Sequence, residues 1–274
     1  MKLSTLFFAL MAYFVQTTNA QTKPVEIQGA VGILRGFITI PANSDGKKLP
    51  VVIIFHGFTG NKNEKIHIAL TDSLAARGIA SIRFDFNGHG ESDGAMRGMS
   101  IDNEVEDARR IVGFAESLPF IGKIGIFGHS QGGVVSILLS SELGKKQIKT
   151  VALLAPALMI HDNLLQGICF GTRFDPLNVP EEVSVFDGKV TLGRNYILAG
   201  QGLRLFEAAK KYKGDVIAIH GTGDRSVPYS CSQYLPYFYK RCELSLIPGA
   251  DHTFTDLEGI PAGIVAVWMD KKLK

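Results

Sequence analysis

The stretch Ile124-Gly125-Ile126-Phe127-Gly128-His129-Ser130-Gln131-Gly132-Gly133 determines which fold this chain can adopt. Its apolar first half predicts a buried strand, and the apolar residues 134–139 after it predict a buried helix. The Gly-x-Ser-x-Gly sequence between them is typical of a nucleophile elbow when it joins a strand to a helix. Small glycine residues let strand and helix approach closely around a serine on a strained turn. The alternative is a glycine-rich turn that merely contains serine, but both flanks favour an elbow that projects Ser130 from the sheet.

Strand and helix patterns alternate along most of the chain. Besides the elbow strand, predicted strands lie at 51–55, 79–84, 149–154, 216–220 and 244–247. Besides the elbow helix, predicted helices lie at 64–77, 102–117, 203–211, 229–239 and 260–269. Apolar runs without alternation indicate parallel strands that are covered on both faces. The sequence therefore predicts an α/β fold, a mostly parallel central sheet with helices on both faces, preceded by a hairpin at 25–28 and 33–40.

Residues 156–202 interrupt this alternation with scattered prolines, glycines and acids. Because the strand–helix pattern resumes afterwards, this stretch indicates an insertion rather than a second domain. We therefore expect one domain over residues 21–274 that carries a small inserted cap at about 156–202, which we call the cap.

The helix predicted at 102–117 has a clear N-terminal signal. Ser100 is a typical N-cap residue, and acidic residues follow it at 102, 104, 106 and 107. Carboxylates are stabilised near the positive end of a helix, so these acids support a helix that begins after Ser100.

Residues 1–20 match a secretory signal peptide. Lys2 precedes an apolar run over residues 3–15, polar residues follow, and the small Ala20 ends the segment. The apolar run is too short to span a bilayer comfortably. The residue after the cleavage site is Gln21 and not the cysteine that a bacterial lipid anchor needs. The sequence predicts cleavage after Ala20 and a secreted or periplasmic protein without a membrane anchor.

Composition excludes some partners. The formal net charge is only +3 and no block of lysine and arginine stands out, so nothing favours nucleic acid as a partner. The three cysteines, Cys169, Cys231 and Cys242, are an odd number without metal-ligand spacing. Export permits a disulfide between Cys231 and Cys242, while three free thiols are an equal alternative.

Two further polar residues follow predicted strands in the order that a serine elbow requires. Active groups of open α/β sheets gather at the carboxyl ends of strands. Asp224 and His252 each follow such a strand through a short loop, giving the chain order Ser130, Asp224, His252. Asp251 and Asp256 are also near His252, but residues so close in sequence are poorly placed to reach the far ring nitrogen.

The three residues suit nucleophilic catalysis. A serine hydroxyl needs a base within hydrogen-bond reach, and His252 is expected to take the proton of Ser130 and deliver it to the leaving group. Asp224 is expected to hold the imidazole and stabilise its protonated form. The backbone amides of Phe58, directly after a fully apolar strand, and of Gln131 are the expected oxyanion donors.

Four segments of the sequence resemble one enzyme family. They lie at 56–62 (HGFTGNK), 83–94 (RFDFNGHGESDG), 128–133 (GHSQGG) and 220–224 (HGTGD). Together they resemble the bacterial feruloyl/cinnamoyl esterases of the α/β-hydrolase superfamily, and the resemblance covers nearly all of residues 21–274. It implies the α/β-hydrolase fold with a cap inserted after the strand that follows the elbow.

The resemblance also implies two substrate-binding residues in the cap. In that family an aspartate and a tyrosine of the cap bind the phenolic hydroxyl groups of the substrate. By position they match Asp162, six residues after Pro156, and Tyr196. A solvated loop aspartate and a half-buried tyrosine are the ordinary alternatives, and residues 167–173 depart most from the family pattern.

The resemblance implies a secreted serine esterase that hydrolyses hydroxycinnamate (feruloyl or p-coumaroyl) esters through an acyl-enzyme on Ser130. Such an enzyme acts on a small-molecule ester, needs no metal or organic cofactor, and takes part in plant cell wall degradation. The alternatives are a general short-chain carboxylesterase, a serine peptidase or lipase on the same fold, and a non-catalytic binding protein. The sequence leaves open whether the chain is a monomer or a homodimer.

Overall fold

The structure is a computed structural model that describes residues 20–42 and 48–274. The predicted signal peptide therefore lies outside the described residues, apart from Ala20. Among the helices of the described ranges, none combines the length and apolar character that crossing a bilayer requires.

Twelve strands and eight α-helices make up the described chain. The strands are β1 (Gln21–Gln28), β2 (Ile33–Ile40), β3 (Leu49–Phe55), β4 (Ala80–Phe84), β5 (Ile121–His129), β6 (Ile148–Leu154), β7 (Ile168–Cys169), β8 (Thr172–Arg173), β9 (Glu182–Val185), β10 (Val190–Gly193), β11 (Asp215–Gly221) and β12 (Cys242–Ile247). The α-helices are α1 (Lys65–Ala75), α2 (Ile101–Ser117), α3 (Gln131–Gln147), α4 (Ile160–Leu165), α5 (Arg194–Gln201), α6 (Leu205–Lys211), α7 (Ser230–Phe238) and α8 (Gly259–Leu273).

Eight strands form the central sheet in the order β1-β2-β4-β3-β5-β6-β11-β12. The first two pairings, β1 with β2 and β2 with β4, are antiparallel, and all later ones are parallel. This confirms the predicted α/β class, the mostly parallel sheet and the N-terminal hairpin.

Alternating side chains of β3 explain why its sequence is apolar throughout. Val51, Ile53 and Phe55 pack in one hydrophobic core with side chains of α2 and α3. Val52 and Ile54 point to the opposite face and pack with side chains of α1 and α8. A strand buried on both faces cannot alternate between apolar and polar residues, so each face of the sheet has its own core.

The cap leaves the central sheet after β6 and returns before β11. It consists of α4, α5 and two separate two-stranded sheets, β7 with β8 and β9 with β10. Short strands without one dominant pattern explain why the sequence of this stretch predicted no regular alternation.

Candidate active site

Ser130 occupies a sharp turn between β5 and α3. Its backbone has φ 54° and ψ −118°, a left-handed conformation that a non-glycine residue adopts only under strain. Hydrogen bonds hold the turn: the Ser130 amide donates to the Leu154 carbonyl at 2.9 Å, and the Ser130 carbonyl accepts from Gly133 and Ala157 at 3.0 and 3.1 Å. This is the geometry that the elbow sequence predicted.

Residue 132 must be glycine because the backbone at the end of β3 packs directly against it. A Cβ atom at Gly132 would lie 2.5 Å from the backbone oxygens of Phe55 and His56, which no ordinary side chain tolerates. The end of β3 therefore packs directly against the first turn of α3 and brings the loop after β3 beside Ser130.

Asp224 and His252 are hydrogen-bonded to each other. Oδ2 of Asp224 accepts a 2.6 Å hydrogen bond from Nδ1 of His252, and Oδ1 accepts from the amides of Ser226 and Val227, both at 2.8 Å. The carboxylate is fully buried. Since Nδ1 of His252 is bonded to Asp224, Nε2 is the ring nitrogen available to a substrate or to Ser130.

A second histidine supports the same carboxylate. Nε2 of His220 lies 3.1 Å from both Oδ2 of Asp224 and the Val227 carbonyl. A carbonyl only accepts, so Nε2 carries the proton and Nδ1 accepts from the Ser232 hydroxyl at 2.7 Å. The sequence assigns His220 no role of its own, and its contribution to Asp224 emerges only from the packing of α7.

Asp224 is held in its ionised form. Burial by itself would raise the pKa of Asp224, but hydrogen bonds from His220, His252 and the Val227 amide, together with the charge of His252, hold that pKa well below its usual range. An ionised carboxylate against His252 is what stabilises an imidazolium during proton transfer.

Ser130 and His252 line one cavity of about 500 Å³ at the carboxyl ends of the parallel strands. Phe58 and Gln131, the predicted oxyanion donors, line the same cavity. Within the described residues, neither the Phe58 amide nor the Gln131 amide has a protein acceptor. Both amides are therefore free to donate to an oxygen of a bound ligand.

The side chain of Gln131 belongs to a buried polar chain. The Tyr196 hydroxyl donates to Oε1 of Gln131 at 2.8 Å, and Nε2 of Gln131 donates to Oε2 of Glu104 at 2.8 Å. All three side chains are almost inaccessible to solvent. Tyr196 lines the Ser130 cavity, but its hydroxyl proton is already used inside the protein.

Glu104 has a role that its sequence position does not indicate, because an acid near a helix N-terminus is already explained by the helix dipole. Ser100 does cap α2, accepting from the Asn103 amide at 3.2 Å, but Glu104 points inward. Burial raises its pKa to about 8, against a smaller lowering by the hydrogen bond from Gln131. At neutral pH Glu104 is therefore a protonated acid.

Asp162 is not brought to Ser130. It lies on α4 with its side chain 71% exposed, paired with Nδ1 of His161 at 2.8 Å, and it lines a separate cavity of about 680 Å³. The next residue, Asn163, lines the Ser130 cavity instead. Successive residues of an α-helix point about 100° apart, so one position along α4 decides which cavity a side chain reaches.

Aromatic side chains from the cap form one side of the Ser130 cavity. Phe170 stacks on Phe58 with ring centroids 4.2 Å apart, and Phe186 and Tyr196 lie 5.3 and 6.3 Å from Phe170. Phe170 belongs to the segment 167–173 that departs from the family pattern, and that departure was the only sequence signal for it.

Of the first two segments that carry the resemblance, 56–62 lines this cavity through Gly57, Phe58 and Thr59, and 83–94 contacts 56–62. Nζ of Lys62 lies 2.6 Å from the carboxylates of both Asp85 and Glu91. His56 accepts from the Phe86 amide at 3.0 Å through Nε2, and burial lowers its pKa to about 3. These residues connect the loops after β3 and β4 to each other.

All three cysteines are free thiols, so Cys231 and Cys242 are not bridged. Cys169 lines the Ser130 cavity, and burial raises its pKa to about 12. A protonated thiol is a weak nucleophile, so Cys169 acts there as an apolar wall residue.

Three residues that the sequence did not group meet at the Ser130 cavity, which Glu64 and His129 line. One ligand atom each of Glu64, His67 and His129 lies within 4.8 Å of the others. Burial lowers the pKa of both histidines to about 3 and raises the pKa of Glu64 to about 7. The sequence predicts no metal-binding residues, whereas these three side chains are suitable metal ligands.

Comparison with known proteins identifies the family to which this fold and site belong. The structure of Est1E from Butyrivibrio proteoclasticus with ferulic acid bound is 32% identical in sequence, with a TM-score of 0.86, and the match covers 90% of this chain and 98% of Est1E. The chain belongs to the α/β-hydrolase family. A family model described as serine aminopeptidase, S33, matches residues 46–176 of this α/β-hydrolase, which include the elbow and end before Asp224 and His252.

Two further matches agree with this assignment. A second structure of Est1E is 30% identical, with a TM-score of 0.79, and the match covers 90% of this chain and 96% of Est1E. The monoacylglycerol lipase of Mycolicibacterium smegmatis is 25% identical over 210 residues, or 68% of this chain and 74% of the lipase. The α/β-hydrolase fold and the serine hydrolase class are therefore confirmed.

Proposed function

We propose that this α/β-hydrolase is a secreted esterase that releases hydroxycinnamic acids, such as ferulic or p-coumaric acid, from esters of plant origin. The observation that carries the proposal is the aromatic side of the cavity that Ser130 and His252 share. A cinnamoyl group is flat, conjugated and largely apolar, so stacked rings are a suitable surface for it. The similarity to Est1E, whose structure holds ferulic acid, supports the same substrate class.

In the proposed mechanism, Oγ of Ser130 attacks the ester carbonyl carbon while Nε2 of His252 takes the hydroxyl proton. The carbonyl oxygen becomes an oxyanion that accepts hydrogen bonds from the Phe58 and Gln131 amides. Collapse of this intermediate breaks the bond to the alcohol, which leaves with the proton from His252. Asp224 holds the imidazolium throughout and stays ionised.

The second half of the reaction regenerates the enzyme. A water molecule gives a proton to Nε2 of His252 and attacks the acyl carbon, forming a second tetrahedral intermediate at the same amides. The bond to Ser130 then breaks, its oxygen recovers the proton from His252, and the hydroxycinnamic acid leaves. Neither half-reaction needs a metal ion or an organic cofactor.

The assay that tests the proposal compares methyl ferulate, methyl p-coumarate and p-nitrophenyl butyrate as substrates of the purified protein. We expect kcat/KM for the two cinnamates to exceed that for the butyrate, and Ser130→Ala to abolish turnover while circular dichroism shows an intact fold. Cleavage of the butyrate with no detectable cinnamate hydrolysis would instead identify a general carboxylesterase.

A second candidate substrate is a monoacylglycerol. The cap exposes several large apolar side chains, with Leu177 97% and Leu198 51% accessible, and such groups favour contact with lipid-like molecules. The similarity to the monoacylglycerol lipase supports this candidate. Including a monoacylglycerol in the same substrate panel separates the two, because the substrate class with the higher kcat/KM identifies the activity.

Secretion is tested on the protein itself. Expression of the full chain with its native N-terminus, followed by N-terminal sequencing of material outside the cytoplasm, should give Gln21 as the first residue. Retention in the cytoplasm with Met1 still present would contradict export.

A further inference from the structure

Glu64, His67 and His129 form a cluster, which we call the EHH cluster, at the Ser130 cavity, which Glu64 and His129 line. Glu64 directly precedes α1, His67 lies in the first turn of α1, and His129 is the last residue of β5. The His67 side chain is fully buried, and His129 is 4% exposed. The cluster therefore joins one helix to the strand that carries the elbow.

Hydrogen bonding fixes the tautomer of His67. Its Nδ1 lies 3.1 Å from the carbonyl oxygen of Asn61. A carbonyl oxygen only accepts, so Nδ1 must carry the hydrogen and Nε2 keeps a free lone pair in the neutral ring. Nε2 of His67 is buried and has no hydrogen-bond partner among the described residues.

His129 repeats this arrangement. Its Nε2 lies 3.0 Å from the carbonyl oxygen of His252 and therefore carries the hydrogen. Nδ1 of His129 is buried without a partner in the described part of the chain, and so is Oε2 of Glu64. Each of the three side chains thus keeps one buried electron-pair donor to which no described protein group donates a hydrogen bond.

We propose that the EHH cluster binds one divalent transition-metal ion, with Zn²⁺ as the best match. Two imidazole nitrogens and one carboxylate oxygen are ligands that Zn²⁺ prefers, and three protein ligands leave a fourth position for water. Each metal-binding histidine usually donates its other N–H to a carbonyl or carboxylate. The carbonyls of Asn61 and His252 already provide this support.

The dimensions agree with a small cation. Tetrahedral Zn²⁺ with bonds of about 2.0–2.2 Å places its donors roughly 3.5 Å apart. One ligand atom of each side chain lies within 4.8 Å of the others. Oε2 of Glu64 lies 3.4 Å from Nδ1 of His67, so a rotation of the Glu64 side chain towards Nε2 of His67 brings the three free donors to that spacing. A water molecule has two hydrogens and satisfies two of the three acceptors when Glu64 is ionised, whereas a cation satisfies all three.

The bound ion would connect α1 to β5 and, through His129, to the backbone of His252. The ligands hold neither Ser130 nor the ring of His252, so the ion has no part in the proposed serine mechanism. Ligands that bind only the folded state raise its stability, so we expect a metal-loaded protein to unfold at a higher temperature than the chelated protein.

The test uses the full chain carrying a purification tag without histidine. The protein is stripped with a chelator, dialysed and titrated with ZnCl₂ in a calorimeter. We expect one site per chain, a higher Tm after loading, and an anomalous diffraction peak at the zinc edge between the three side chains. His67→Gln should weaken binding by at least about 100-fold and remove the Tm increase.

His161→Gln is the matched control, because His161 is a partly exposed histidine paired only with Asp162, and it should leave both readouts unchanged. If His67→Gln does not fold, Glu64→Gln supplies the second variant, with weakened binding expected. The proposal is overturned by the absence of a one-to-one site in the wild type, by binding that survives His67→Gln and Glu64→Gln, or by a water peak without anomalous signal in zinc-soaked crystals.

Discussion

The hydroxyl of Tyr196, in the cap, donates a 2.8 Å hydrogen bond to Oε1 of Gln131, the residue that follows Ser130. Gln131 thus has two separate roles. It lines the Ser130 cavity, and its backbone amide has no acceptor among the described residues, while its side chain connects the elbow to the cap. Nε2 of the Gln131 side chain donates to Glu104 of α2. The position of the proposed oxyanion donor is therefore coupled to two elements that have no part in the chemistry.

Tyr196→Phe tests this coupling. The variant leaves Oε1 of Gln131 buried without its donor, which should lower the free energy of unfolding by about 1–3 kcal/mol. Because a loosened elbow places the Gln131 amide less accurately, kcat should also fall, by about 3- to 10-fold. Urea unfolding and steady-state kinetics measure the two effects.

Tyr212→Phe is the control for that variant. The Tyr212 hydroxyl is buried and donates to the Ile148 carbonyl at 2.9 Å, at the opposite end of β6 from the elbow. It should cost a similar free energy of unfolding with kcat unchanged. Equal kcat values for both tyrosine variants would show that the cap contact only stabilises the fold.

Glu104 gives a pH-dependent prediction. Its pKa is 4.5 in the unfolded chain and about 8 in the folded protein, so between these values the folded state keeps a proton that the unfolded state releases. The stability associated with Glu104 is complete below pH 4.5 and decreases as pH rises towards 8, by up to about 1.4 kcal/mol per pH unit. Glu104→Gln keeps an acceptor for Gln131 and removes this dependence.

Unfolding by urea at pH 5, 6.5 and 8 measures the effect. The stability of Glu104→Gln relative to wild type should increase steadily with pH, whereas the exposed control Glu116→Gln should follow the wild type. Parallel pH profiles for wild type and Glu104→Gln would contradict a raised pKa for Glu104.

The sequence predicted best those features that follow from local pattern. Parallel strands buried on both faces produce continuous apolar runs, so β3, β5, β6 and β11 were all predicted from the sequence. The elbow was predictable because glycine is required where Gly132 meets the end of β3. The order of Ser130, Asp224 and His252 follows from topology, and the 2.6 Å hydrogen bond between the latter two agrees with it.

Features that depend on tertiary packing were not predictable. An acid in the first turn of a helix normally faces solvent, and only the packing of α2 against the elbow buries Glu104. In the cap, no periodicity fixed the rotation of α4, so sequence position alone selected Asp162 where the structure places Asn163 at the cavity. His67 and His129 lie far apart in sequence, and no spacing pattern links them.

Asp224→Asn tests the assignment of the acid. An asparagine cannot stabilise an imidazolium and favours the wrong histidine tautomer, so kcat should fall by about 10³- to 10⁴-fold. Labelling of Ser130 by a fluorophosphonate should slow in parallel. Asp251→Asn is the matched control, because Asp251 is the acid next to His252 in sequence, is exposed, and bonds to the Thr255 amide at 2.9 Å. A comparable loss in Asp251→Asn would transfer the role to that residue.

The stacked pair of Phe58 and Phe170 provides a test of substrate choice. Phe170→Ala removes the cap half of the stack, and an aromatic contact of this kind contributes about 0.5–1.5 kcal/mol beyond its buried area. We therefore expect kcat/KM for methyl ferulate to fall about 10-fold, while that for p-nitrophenyl acetate, whose acyl group is too small to reach the cap, stays within about 2-fold.

Phe206→Ala breaks a second stacked pair, Phe206 with Phe238, which has the same 4.2 Å separation and lies outside the Ser130 cavity. That variant controls for lost stability, because it should leave the ratio of the two kcat/KM values unchanged. An equal loss on both esters in Phe170→Ala would show that Phe170 supports the fold of the cap and does not contact the acyl group.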